Sequence, residues 1–221
     1  MELRPNRFNS IAPVTKNLLI INCLVFLAQY VLGQSFAEGL MTEAETPFLR
    51  NVVADYGALH HWKSPNFKIW QFLTSMFMHF DFTHIFFNMF MLWMFGNIIE
   101  RRLGSKRFLW FYLLCGFGAA IFYLAINTIT HDYFSSAVGA SGAVYGIIFA
   151  FSWLHPESEL LLFFVLPVKA KWLILGTIVF SIYFGLQQIA GAGGGIAHFA
   201  HLGGMVAAFV IFKSWKIRYG G

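Results

Sequence analysis

The sequence predicts an all-α membrane protein, a six-transmembrane helical bundle with one long structured loop after the first helix. Three observations predict it. The 221 residues are 58% hydrophobic and only 11% charged, about half the charge of an ordinary soluble domain. The apolar residues gather into runs near the ~20 residues that a helix needs to cross a bilayer. The basic residues favour alternate connections, as they do when successive loops face opposite sides of a membrane.

The first run, 16–34, follows Arg4, Arg7 and Lys16. A basic lead before an apolar run also marks a secretory signal, and Gly33-Gln34-Ser35 resembles a weak cleavage site. An uncleaved helix is preferred, because an even span count requires it. The connection 35–81 is too long for a turn. Its Trp62, Phe67, Trp70 and Phe72 suit the membrane interface. Long connections either have a job or lack order, and this one reads as a partly membrane-embedded, structured loop.

The second run, 82–100, is separated from the third, 107–127, by Arg101, Arg102, Lys106 and Arg107. The fourth, 139–154, is the shortest, and Pro156 stops it. Lys169 and Lys171 precede the fifth, 171–189. The sixth, 196–213, leads into Lys213, Lys216 and Arg218. These segments and the N-terminal one hold 12 of the 15 Lys and Arg, and the third-to-fourth and fifth-to-sixth connections hold none. By the positive-inside rule both termini are cytoplasmic, and spans two, four and six run from the outer face inward. Residues 1–221 then form a single membrane domain, with 1–15 a short cytoplasmic segment and 214–221 a short cytoplasmic tail. The net charge of +5 marks topology and not a nucleic-acid partner; the expected surroundings are a lipid bilayer. Cys23 and Cys115 lie in apolar runs and read as free, inert thiols.

Four polar residues interrupt these runs: His84 and Asn88 in the second, Ser141 in the fourth and His201 in the sixth. Hydrocarbon penalises such groups, so each marks a functional site by default. Their depths agree. Ser141 lies 14 residues before His155, or ~21 Å at ~1.5 Å per residue. In a hydrocarbon core ~30 Å thick, that places Ser141 roughly 9 Å below the outer face. His201 enters span six to a similar depth. His84 and Asn88 occupy the first two turns of span two, on one face. The segment Tyr133 to Val138 must therefore dip into the protein beside a cavity that opens outward.

The set has a chemistry. A serine hydroxyl is a weak nucleophile until a base takes its proton, and histidine is the usual base at neutral pH. Helices four and six must pack closely to join Ser141 with His201. Gly142 and Gly146 form a Gly-x-x-x-Gly ridge, and Gly203 and Gly204 follow the histidine; small residues permit such an approach. Tyr145, one turn from Ser141, faces the same way for stacking on the imidazole. The free N–H groups of a helix N-terminus, with Asn88 and His84, are candidate donors for an oxyanion. No Asp or Glu is placed as a third member, so the simplest reading is a Ser-His dyad without metal or cofactor. Of the other histidines, His198 reads as cavity-lining, His60-His61 as solvated, and His79 as a loop-fixing hydrogen bonder.

Over nearly its whole length the sequence resembles the rhomboid intramembrane serine proteases of prokaryotic type. The resemblance rests on His79-x4-His84-x3-Asn88, on Glu100-Arg101-Arg102-Leu103-Gly104-Ser105, on Gly139-Ala140-Ser141-Gly142 with Tyr145, and on Ala200-His201-Leu202-Gly203-Gly204. It implies Ser141 as nucleophile and His201 as base. It implies His84, Asn88 and the Ser141 backbone as the oxyanion site, with Tyr145, Gly139 and Gly142 in support. Glu100 and Arg102 would be structural, tying the cytoplasmic end of span two. Substrates would be single-pass transmembrane proteins, and the location a bacterial inner membrane with the site opening outward. One departure is Trp70-Gln71, where the family often has Trp-Arg. Two other classes compete. A transporter would line the full depth with polar groups and show a repeat, and neither is seen. A membrane metalloprotease needs His-Glu-x-x-His, which is absent. A non-enzymatic binder of membrane helices is separated only by activity.

Overall fold

The computed structural model describes residues 10–40, 56–162, 165–189 and 197–220. Arg4, Arg7, Arg50 and the fifth-to-sixth connection lie outside the described residues. Helix α1 spans Pro13–Leu40. Proline suits this first position, because its missing N–H would have no helical partner. The next donors are taken by another helix. Ala12 N donates to Asn97 Oδ1 at 2.7 Å, Val14 N to Glu100 Oε1 at 2.9 Å and Thr15 N to Glu100 Oε2 at 2.7 Å. The helix runs past Gly33 to Leu40, further than the hydropathy predicts. One glycine costs only about 1 kcal/mol in a helix, too little to end it alone.

The loop that follows is built from short elements. Strand β1, Leu59–His60, pairs antiparallel with β2, Ser136–Ala137. A one-turn helix α2, Gln71–Thr74, continues into a 3-10 turn, Ser75–Phe77. The expected structured loop is thus present across 56–81, while 41–55 lies outside the described residues. Gln71 stands where the resembling family often has arginine, and it is fully buried. Its Oε1 accepts from Lys68 N at 3.0 Å and His60 N at 3.3 Å, and its Nε2 donates to Asn66 O at 2.9 Å. An uncharged amide therefore anchors this loop. His60 and His61 correct the sequence reading: both are buried, not solvated. His61 Nε2 lies 2.9 Å from Thr128 Oγ1, and its ring contacts Trp62 and Tyr133 at 4.2 and 4.7 Å.

Span two is helix α3, Phe82–Met91, a π turn at Leu92–Gly96, and helix α4, Asn97–Leu103. Asp81 caps α3 by accepting from His84 N at 2.7 Å, an ordinary N-cap role. At the other end Glu100 is 2% exposed. Besides Val14 and Thr15 N it accepts from Thr15 Oγ1 at 2.9 Å and Ser105 Oγ at 2.6 Å. Arg102 is exposed and makes no hydrogen bond or ion pair with the described residues. Its neighbour Arg101 reaches back to Ser10 O.

Helices α5, Ser105–Ile129, α6, Ser141–Leu154, and α8, Ala197–Ser214, pack most extensively on one another. Between them lies a core that includes Phe108, Phe111, Tyr112, Ile147 and Phe212. Helix α7, Ala170–Ile189, stands at the edge: 17% of it is buried, against 44% for α5. The connection before α7 is a hairpin, β3 Glu159–Leu162 with β4 Leu166–Lys169. The two strand pairs amend the all-α expectation; the bulk is helical. By length and composition four helices suffice to cross a membrane: Pro13–Val31, Phe82–Leu103, Ser105–Ile129 and Ala170–Gln187. Ser141–Leu154 and His198–Ser214 are shorter apolar helices. The protein is an integral membrane protein.

Candidate active site

Glycine brings the site together. A Cβ at Gly204 of α8 would stand 2.0 Å from Gly142 O, and one at Gly142 would stand 2.3 Å from Ala119 Cβ. At Gly146 it would meet Cys115 Sγ at 2.6 Å. Only hydrogen fits at these crossings, so α6 and α8 approach backbone to backbone, and α5 sets its small Ala119 and Cys115 side chains directly on the α6 glycines. That approach carries Ser141, at the first turn of α6, to His201, on the second turn of α8.

Ser141 Oγ and His201 Nε2 are 2.9 Å apart. Tyr145, one turn on from Ser141, lies over the His201 ring at 4.1 Å and 20°. The stack fixes the plane of the imidazole so that Nε2 faces the hydroxyl. No carboxylate among the described residues bonds His201, and none of their His, Cys, Asp or Glu side chains group as a metal site. The ring of His198 is 6.4 Å from that of His201 and packs instead on Phe180 and Phe184 of α7.

His84 approaches from the other side. Phe80 N donates to its Nδ1 at 3.4 Å, which puts the proton of the neutral ring on Nε2. That atom and Ser141 Oγ flank Gly139. A Cβ at Gly139 would lie 2.8 Å from His84 Nε2 and 3.6 Å from Ser141 Oγ, and the residue has φ +126°. Any side chain at 139 would be strained and would fill the gap between them. Gly139 N is held by Ser75 O at 2.8 Å, so the loop and the β1–β2 pair set this backbone. Asn88 is buried one turn below His84, and its amide donates to His84 O at 2.9 Å. The second hydrogen of that amide is its remaining donor.

Ser141, His201, His84, Gly139 and Gly142 line a cavity of about 310 Å³; Asn88 does not line it. Ser75, Tyr123, Ser135 and Ser136 complete its polar wall. Sequence reasoning passed over them as lining residues: the three serines lie in short elements or loops that carry no periodic signal, and Tyr123 is one aromatic residue within a long apolar helix. His79, expected to fix the loop by hydrogen bonding, does so through its backbone. Its N–H donates to Gln29 Oε1 at 3.1 Å and its C=O accepts from Gln29 Nε2 at 3.3 Å. The His79 ring stands edge-on to His84 at 5.1 Å. Burial, and next the neighbouring His84, hold its pKa down to about 4.

Residues 66–215 match the family model described as the Rhomboid domain. RHOMBOID-like protein 12, mitochondrial, of Arabidopsis thaliana is 31% identical over 94% of this chain and 59% of its own length. Rhomboid protease GlpG of Salmonella choleraesuis (strain SC-B67) is 26% identical over 90% of this chain and 62% of its own. The chain thus spans about 60% of the length of these relatives.

Proposed function

The chain belongs to the rhomboid family, and from that premise we propose that it is an intramembrane serine endopeptidase cutting transmembrane segments of membrane proteins. The observation that carries the proposal is the 2.9 Å contact between Ser141 Oγ and His201 Nε2 in an open cavity. His201 takes the hydroxyl proton as Oγ attacks the scissile carbonyl. The oxyanion forms beside His84 Nε2–H and the Ser141 backbone N–H, which leads α6 and has no helical acceptor. Asn88 adds its second amide hydrogen. His201 then returns the proton to the leaving amine, and water hydrolyses the acyl-enzyme by the same route.

The architecture proposed with it has six spans, both termini in the cytoplasm and residues 1–221 as one domain. The basic residues that flank spans two, four and six support that orientation. The cavity then opens to the outer side of a bacterial inner membrane. Single-pass substrates would enter beside α7, the least buried helix of the site's half. Crosslinking α7 to α3 should block cleavage, and an unchanged rate would remove α7 as the gate. The direct test of the chemistry is labelling. A serine-directed mechanism-based inhibitor should modify Ser141 and abolish cleavage, while a chelator leaves the rate alone. Labelling elsewhere, or inactivation by the chelator, would overturn the dyad.

A further inference from the structure

A second cavity, of about 330 Å³, lies between α6 and α7, at the opposite end from Ser141. One wall is the face of α7 that carries Lys171, Ile174, Leu175 and Ile178. These positions share a helix face, since they recur at three- and four-residue steps. The facing wall is Phe149, Ser152 and Trp153 of α6. Trp172 and Tyr219 stand at the mouth, both more than half exposed.

Three features point to one kind of ligand. First, the cavity has a charge at one end and hydrocarbon along the rest. Lys171 sits at the mouth, and Lys213 Nζ lies 5.6 Å from the centre of the Trp153 ring. From Lys171 to Ile178 is roughly 10 Å along the helix, and everything beyond the mouth on that wall is aliphatic. Second, Ser152 is 2% exposed and its Oγ has no hydrogen-bond partner among the described residues, yet the residue lines the cavity. A buried hydroxyl normally has a partner. Third, Trp153, Trp172 and Tyr219 surround the mouth as aromatic residues do at the headgroup level.

We propose that this cleft is a binding site for an anionic phospholipid of the cytoplasmic leaflet. Its phosphate is held by Lys171 with Lys213 nearby, its glycerol ester accepts from Ser152 Oγ, and one acyl chain lies along Leu175 and Ile178. The leaflet rests on the orientation proposed above and not on proteolysis. The charges facing Lys171 are Glu157, whose carboxylate also bonds Lys169 at 2.8 Å, and Lys169 itself. Glu157 is exposed and competes with the lipid phosphate for Lys171. Charge substitutions of opposite sign therefore have opposite effects, and filling the cleft at Leu175 separates a bound lipid from a charged annulus.

The test is lipid retention by the purified full chain, counted by native mass spectrometry after reconstitution in phosphatidylglycerol or phosphatidylcholine nanodiscs. Phosphatidylglycerol should be retained over phosphatidylcholine. Lys171→Gln should lower its retention about fivefold, the effect of one lysine at an anionic surface. Glu157→Gln, on an exposed residue that is safe for folding, should raise it. Leu175→Trp should fill the cleft and abolish it. Equal retention of the two lipids overturns the proposal. So does phosphatidylglycerol retention that none of the three substitutions moves. Displacement of the lipid by millimolar inorganic phosphate would show a bare anion site and overturn it too.

Discussion

At one end of the bundle Glu100 accepts four hydrogen bonds, from Val14 N, Thr15 N, Thr15 Oγ1 and Ser105 Oγ. At the other end Ser141 and His201 share a single contact and face a cavity. Both ends hold polar groups among apolar helices, and both are set by short-range geometry. The saturated end leaves nothing for a ligand and serves to clamp α1 on α4. The open end leaves Oγ, His84 Nε2 and backbone N–H groups to be completed by something else. In an apolar environment, a saturated polar group is held in place, whereas an unsaturated one facing a cavity can meet a ligand.

The comparison breaks most cleanly under substitution at the open end. Ser141→Ala should lower cleavage of a transmembrane test substrate by at least ~10⁴, the scale of a lost nucleophile. Its unfolding midpoint should stay within the change that about 0.5 kcal/mol produces. Full residual turnover would end the dyad. At the saturated end the effects invert. Glu100→Ala strands buried donors and should cost about 3–5 kcal/mol of stability, read as a lower melting temperature in detergent. The rate per folded molecule should hold. An unchanged melting temperature would show that water replaces the carboxylate freely.

The two ends also differ in how far the sequence revealed them. The long helices were legible, because hydropathy sums over many residues: the six apolar segments fall close to 16–34, 82–100, 107–127, 139–154, 171–189 and 196–213. So was the meeting of Ser141 with His201, and the stack of Tyr145, since glycine spacing told which faces touch. Glu100 was named as structural, but its partners were not. Its bonds to Val14 and Thr15 join residues about 85 positions apart, and Asn97 was missed although it lies one turn before Glu100. The Leu59↔Ala137 and His60↔Ser136 pairs were illegible. A two-residue strand has no period, and its pairing is decided by tertiary packing. The same blindness led to His60 and His61 being read as solvated. The β3–β4 hairpin was hidden because its strands are four residues each, too short for a clear alternation.

Asn88 sharpens the contrast, because it sits between the extremes. One amide hydrogen is spent on His84 O, at 2.9 Å. Asn88→Ala should lower turnover about 10- to 100-fold, less than Ser141→Ala, since His84 and the Ser141 N–H remain as donors. Loss as complete as that of Ser141→Ala would place Asn88 at the centre of the oxyanion site. A melting temperature that falls while kcat holds would move it to the saturated class.

The smallest effect concerns pH, and it joins the loop to the open end. His79 is buried beside His84, and its pKa is held down to about 4 from an ordinary 6.5. The folded protein therefore keeps the ring neutral where the unfolded chain already binds a proton. Stability is complete above about pH 6.5 and declines as pH falls toward 4, by roughly 1 kcal/mol for each pH unit within that window. His79→Gln removes the titrating group. The midpoint of thermal unfolding should fall between pH 6.5 and 5 for the unsubstituted protein and change less for the variant. Parallel pH curves for the two would assign the acid sensitivity to another group. Because the His79 and His84 rings are 5.1 Å apart, charging His79 also places a positive charge beside the proposed oxyanion donor. A change of kcat that follows the same pH window in the unsubstituted protein, and not in His79→Gln, would tie this loop histidine to the open end.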